Sequence, residues 1–223
     1  MTPPSSPATA KTRRYSSTRR ARQAAQTRAD VLLAAIRLFG RSGWTGTTLA
    51  AIAAEAGVAV ETIYSSFTSK KELLRAAMDM AIVGDAQPVP LIQREEFQQL
   101  RQLPAAQRLP AGLHLVGELF DGGHVTAVWS AMLEAAASDQ EVTRWCAELE
   151  NGRRETLSEF LHIVLDGNVT EPMLDVLWVL ISPDAYTRLT TRRGWSRSRW
   201  EETMTEVIRQ LATSSHDSRS GER

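Results

Sequence analysis

Between Thr47 and Leu74 two apolar stripes at helical spacing stand on either side of a single glycine, and no other stretch leaves the backbone fewer options. Leu49, Ile52, Ala53 and Ala56 recur at i, i+3, i+4 and i+7, the pattern of one helix face. Thr47 or Thr48 is placed to cap the N–H groups that a helix start leaves bare. Gly57 follows at once. Lacking a Cβ, it can enter the left-handed region, so the spacing predicts a sharp turn there and a second helix from Val58. On that helix Ala59, Ile63 and Phe67 form the inward side, which leaves Glu61, Tyr64 and Ser65 facing out and Val60 and Thr62 on the flanks. Ser69, with Glu72 three residues later, predicts a capping box that opens the next helix.

Two short helices across a tight turn, the second presenting small and polar groups, form the outline of a helix-turn-helix whose second helix enters the DNA major groove. The residues Thr48-Leu49, Ile52-Ala53, Ala56-Gly57-Val58, Thr62-Ile63-Tyr64, Phe67 and Lys70 resemble the helix-turn-helix of the TetR family of transcriptional regulators, densely from Leu32 to Leu74 and loosely beyond. The resemblance implies that Tyr64 and Lys70 contact phosphates and that the face from Val58 to Ser65 approaches base edges. The candidate DNA-binding set is therefore Thr47, Thr48, Val58, Val60, Glu61, Thr62, Tyr64, Ser65 and Lys70. Two departures stand out: Ser66 where the family often has histidine, and Glu61 where it often has a small residue. Glu61 either repels a phosphate or accepts from a cytosine amino group, which leaves the operator open.

Charge is segregated along the chain although the whole is neutral. Residues 1–75 hold 12 Lys or Arg against 4 Asp or Glu, net +8, and the remainder holds 14 against 22, net −8. A basic third bearing the helix-turn-helix on an acidic two-thirds suggests that only the first part meets a polyanion. Residues 1–20, rich in Pro, Ser, Thr and Arg, are expected to be a disordered basic arm. Arg19 and Arg20 then either reach the minor groove beside the recognition helix or belong to an inert tail.

The remaining periodicity is helical, and no alternating run is long enough to demand a strand, so the fold class expected is all-α. A first helix runs from near Arg20 to Arg41 on the stripe Leu32, Ala35, Ile36, Phe39, and Ser42-Gly43 and Gly46 break it. Trp44, between the glycines, reads as a plug in the joint between helices. Another helix leads away from Lys70 to about Val83, where Pro88 and Pro90 stop it, and Pro104 and Pro110 interrupt a weaker region. Beyond Gly122-Gly123 come a stripe at Val125, Val128, Trp129, Met132 and Leu133, a long helix over about 141–165 with Gly152 inside it, and helices opened by Pro172, Pro183 and Ser196. We therefore divide the chain into the arm (1–20), a three-helix DNA-binding domain (21–69), a helical-bundle regulatory and dimerisation domain (70–213) and a disordered tail (214–223). Phe120, Trp129, Met132, Trp145 and Trp178 lie on different helices and either converge on a ligand pocket or fill an ordinary core.

Other classes find no support in the residues. The phosphate-loop, zinc-protease, serine-elbow and CxxC motifs are absent, the adjacent pairs Glu95-Glu96 and Glu201-Glu202 diverge on a helix, and the four histidines are scattered. An enzyme, a metal site and a cofactor are not expected. The single Cys146 excludes an intrachain disulfide and reads as core. No segment reaches the roughly 18 apolar residues of a membrane span, so a cytoplasmic protein is expected.

The function expected is that of a sequence-specific DNA-binding regulator: a homodimeric repressor released from double-stranded DNA by a small-molecule effector, dimerising through helices at about 170–182 and 197–212, with 141–165 as the second choice. The alternatives are an architectural DNA-binding protein and a regulator controlled by protein partners.

Overall fold

The computed structural model describes residues 8–83, 90–122, 124–165 and 169–220, with side chains described from residue 21 to 82 and, beyond that, up to residue 213. Among these residues there is no strand, and the chain is all-α.

The head consists of α1 (Ala8–Gly46), α2 (Leu49–Ala56) and α3 (Val60–Ser66), followed by α4 (Lys70–Val83). The stripe of α1 is buried throughout, with Ala34, Ala35, Ile36 and Phe39 essentially inaccessible. Ile63 and Phe67 close over it. Burying each of these side chains stabilises by about 1.5–3 kcal/mol, support that a seven-residue helix such as α3 requires because helices so short are marginal alone. Gly57 takes φ 68°, and its N–H and that of Val58 return to Ala54 and Ala53, which produces the expected turn. The capping ambiguity resolves to Thr48, whose hydroxyl accepts from the Ala51 N–H at 3.1 Å. Ser69 accepts from the Glu72 N–H, while the Glu72 carboxylate reaches one residue further back than a simple capping box, to the N–H and hydroxyl of Thr68.

Three expectations need correction. First, helix extends into both ends that the sequence assigns to disorder: α1 starts at Ala8 rather than near Arg20 and the last helix runs from Arg197 to Ser220, whereas the break expected at Ser42-Gly43 is present, with Gly43 at φ 65° and ψ −171° between two helical runs. Second, Pro110 does not interrupt its helix. It lies inside α6 (Ala105–Asp121), where the bond it cannot donate would have gone to Ala106 in the exposed first turn, whose carbonyl stays open to water. Third, Ala59 does not face inward. It is the extended N-cap of α3, outside the helical register, and it is exposed.

The bundle is formed by short α5 (Glu95–Gln99) between two 3-10 turns, then α6, α7 (His124–Ala136), α8 (Gln140–Val164), α9 (Glu171–Leu180), α10 (Pro183–Thr187) and α11 (Arg197–Ser220). Gly152 sits within an unbroken α8, as the periodicity predicts. Trp200 is fully buried against Phe120 and Tyr186, with ring centroids 6.1 and 5.2 Å away. No described helix is long and apolar enough to cross a membrane. The expected stop at Pro88 and the Gly122-Gly123 break fall wholly or partly on residues outside those described.

Candidate functional site

The outer face of α3 carries Glu61, Tyr64, Ser65 and Ser66, all exposed. Tyr64 is 59% accessible, and a ring so open on so short a helix contributes little packing, while its phenol is free to donate to a phosphate oxygen. Glu61 occupies the first turn of α3, where the bare N–H groups of a helix start favour a carboxylate, so it has a local reason to be there besides any role in base reading. Val58, Val60 and Thr62 are half-buried flanks. Thr47 is different: at 1% exposure it lies inside, its hydroxyl within reach of the carbonyls of Gly43 (2.7 Å) and Leu38 (3.1 Å), so it fastens the joint instead of facing outward. The side chains of Arg19 and Arg20 lie outside the described residues.

Four cations hold the head together. Arg28, which pattern reading missed because its partners are distant in sequence, donates to the Ser66 carbonyl at 3.2 Å and lies 4.2 Å over the Phe67 ring. Lys70 is drawn back from the surface: its ammonium donates to the Trp44 carbonyl and sits 4.0 Å above the Trp44 ring. Burial lowers its pKa, and the nearby Glu134 opposes that shift. On the far side, Glu55 accepts from Arg37 and Arg41 at 2.9 Å each, which clips α2 to α1 and lowers the Glu55 pKa.

Head and bundle meet at Glu134 of α7. Its carboxylate accepts from the N–H groups of Trp44 (2.7 Å) and Thr45 (3.0 Å) and from the Thr45 hydroxyl. A Cβ at Gly43 would lie 2.5 Å from Glu134 Oε2, and one at Gly40 would lie 2.8 Å from Ala127 Cβ, so both glycines are what let α1 press onto α7. Trp44, stacked on Phe39 with centroids 6.1 Å apart, fills this joint as its position between glycines predicts.

Within the bundle is a cavity of about 500 Å³, walled mainly by apolar side chains from α4 to α8, with Ile181 and Pro183 from the junction of α9 and α10. Of the five residues proposed from sequence, Phe120 and Trp129 line it. The other three do not. Met132 is fully buried core, Trp145 is packed at the side under Arg75, and Trp178 backs the wall by stacking on the Arg153 guanidinium at 4.9 Å. Sequence reading missed Phe97, Phe160 and the charged members Asp79, Glu148 and Arg153. Of these, Arg153 had a local signal, the i, i+3 pairing with Glu150 on α8. Burial raises the Asp79 pKa, with Arg75 opposing, and burial lowers that of Arg153, with Glu150 opposing.

The family described as bacterial regulatory proteins, tetR family, matches residues 31–77. A search of curated protein sequences returns no match. Among solved structures, the regulator FadR from Bacillus subtilis, in complex with stearoyl-CoA, superposes with a TM-score of 0.63 at 19% identity, over 81% of this chain and 96% of that one. A transcriptional regulator from Rhodococcus sp. Rha1 gives 0.62 at 17%, over 84% and 96%. NalD, the secondary repressor of the MexAB-OprM multidrug efflux pump in Pseudomonas aeruginosa, gives 0.56 at 22%, over 83% and 95%. Residues 31–77 thus carry the DNA-binding domain of the tetR family, and the chain around them has the fold of that family's transcriptional regulators.

Proposed function

We propose that the chain is a homodimeric transcriptional repressor that a small-molecule effector releases from its operator. The observation that carries this reading is that two helices each serve both ends of the molecule. α4 gives Asp79 and Ile82 to the cavity wall and Lys70 to the joint; α7 gives Val125 and Trp129 to the wall and Glu134 to the joint. An occupant that fits the cavity better in one setting of these helices shifts the population of head orientations by its difference in affinity between the two. The stearoyl-CoA held by FadR supports the idea that a bundle of this fold houses an effector.

The dimer is argued from α9, which leaves Val176 46% and Val179 56% exposed on one side. Two copies paired there and along α11 about a two-fold axis would place two α3 helices roughly one DNA turn apart. The cytoplasm is the compartment in which such a protein meets its operator.

Binding-site selection followed by footprinting tests the reading. One protected site with approximate two-fold symmetry, bound by a particle of twice the chain mass in sedimentation, is the expected result. Protection spread without preference along any duplex would point instead to the architectural alternative.

A further inference from the structure

Taking the cavity as the effector site, its charges indicate what kind of molecule it receives. Three charged side chains line it: Asp79, Glu148 and Arg153. The positive one is already committed. Glu150 accepts from Arg153 Nε at 2.9 Å and from Nη2 at 2.8 Å, and Nη1 donates to the Ile181 carbonyl at 3.2 Å. The faces of the guanidinium are taken by Trp178 at 4.9 Å and Trp129 at 5.8 Å.

The negative groups are not committed in this way. Asp79 makes no hydrogen bond or ion pair with a described residue, and Glu148 has a long contact at 3.5 Å to Arg75, which lies outside the lining and also acts on Asp79 through its charge, so one cation faces two carboxylates. The remaining surface includes the rings of Phe97, Phe120, Trp129 and Phe160, whose negative faces attract cations. Asp79 and Glu148 are both exposed to solvent as well as lining the cavity, so an anion entering here would pass two carboxylates and would have to compete with Glu150 for Arg153. A cation would be matched.

We propose that the effector is an apolar organic cation, its charge received by the Asp79 and Glu148 carboxylates and its body by the aromatic walls of the cavity.

Calorimetric titration of the full chain with tetraphenylphosphonium, the near-isosteric anion tetraphenylborate and neutral triphenylmethanol tests this. The cation should bind at least about tenfold tighter than the anion, and Asp79→Asn and Glu148→Gln should each reduce that preference about threefold or more while leaving triphenylmethanol binding unchanged. Equal or reversed preference in the unaltered protein, a preference that survives both substitutions, or no binding of the cation overturns the assignment. Repeating the titration with protein on its selected operator separates the two ideas. A cation that binds without loosening DNA defeats the release reading and leaves the ligand class standing. Release by the neutral or anionic probe alone does the reverse.

Discussion

Glu134 and Thr45 are joined twice across the boundary between bundle and head, through the backbone N–H and the hydroxyl of Thr45. Those bonds, with the Trp44 N–H, hold the Glu134 pKa below its ordinary value of 4.5, with Thr45 the largest cause and Lys70 a smaller one. A carboxylate with a depressed folded pKa stabilises fully above the unfolded value and loses that contribution as pH falls through the folded one. The joint should therefore be intact at neutral pH and loosen in acid below about 4.5. The part of the tryptophan fluorescence that Trp44→Phe removes, followed from pH 6 to 3, should show a transition that Glu134→Gln abolishes. The same variant should weaken operator binding about three- to tenfold with cavity binding unchanged; unaltered DNA affinity would mean that the contact is only a local cap.

Gly43 is held at φ 65° and ψ −171°, a region open essentially only to glycine, with Glu134 Oε2 where a Cβ would go. Gly43→Ala should cost about 1–3 kcal/mol in urea unfolding. Combining it with Glu134→Ala should recover the steric part and leave the backbone part, so additivity of the two costs is the result that would contradict this account.

On the reading helix, Tyr64→Phe should lower affinity for all duplexes alike, because a phosphate contact carries no sequence information, whereas Glu61→Ala should change base preference if the carboxylate meets a base edge. Parallel binding-site selections on the two variants compare these effects. If both variants select the same site as the parent, Glu61 serves α3 as a helix-start carboxylate and nothing more.

Gly152 lies inside α8, lines the cavity and has no atom within 4 Å of where its Cβ would be. Gly152→Ala should raise stability by about 0.5–1 kcal/mol, since glycine inside a helix is penalised by that amount. Gly152→Phe should occupy the cavity and block effector-driven release while operator affinity in the absence of effector is kept. Loss of both together would show that the substitution distorts the bundle.

The helix-turn-helix was legible because its signals are local: a stripe, a glycine, a cap and a second stripe, each set by neighbours within a turn or two. The same holds for α8 and for the prolines that open α9 and α10. The cavity was legible in part. The spread of large side chains over separate helices points to Phe120 and Trp129, but that rule cannot tell a wall from a core, so it points to the core residue Met132 as well. Asp79 escapes pattern reading because a charged residue on an amphipathic helix ordinarily faces water, and here it does so while also bordering the cavity formed with α5 and α8. Glu134 was illegible for the same reason, since its partners lie about ninety residues back along the chain.

Lys70 bears on how this head first meets a polyelectrolyte. With its ammonium lodged on the Trp44 ring and carbonyl, the field that steers an approaching duplex is that of a less cationic surface than the residue tally suggests. Any contact between Lys70 and a phosphate must then be made at the expense of its bond to the Trp44 carbonyl.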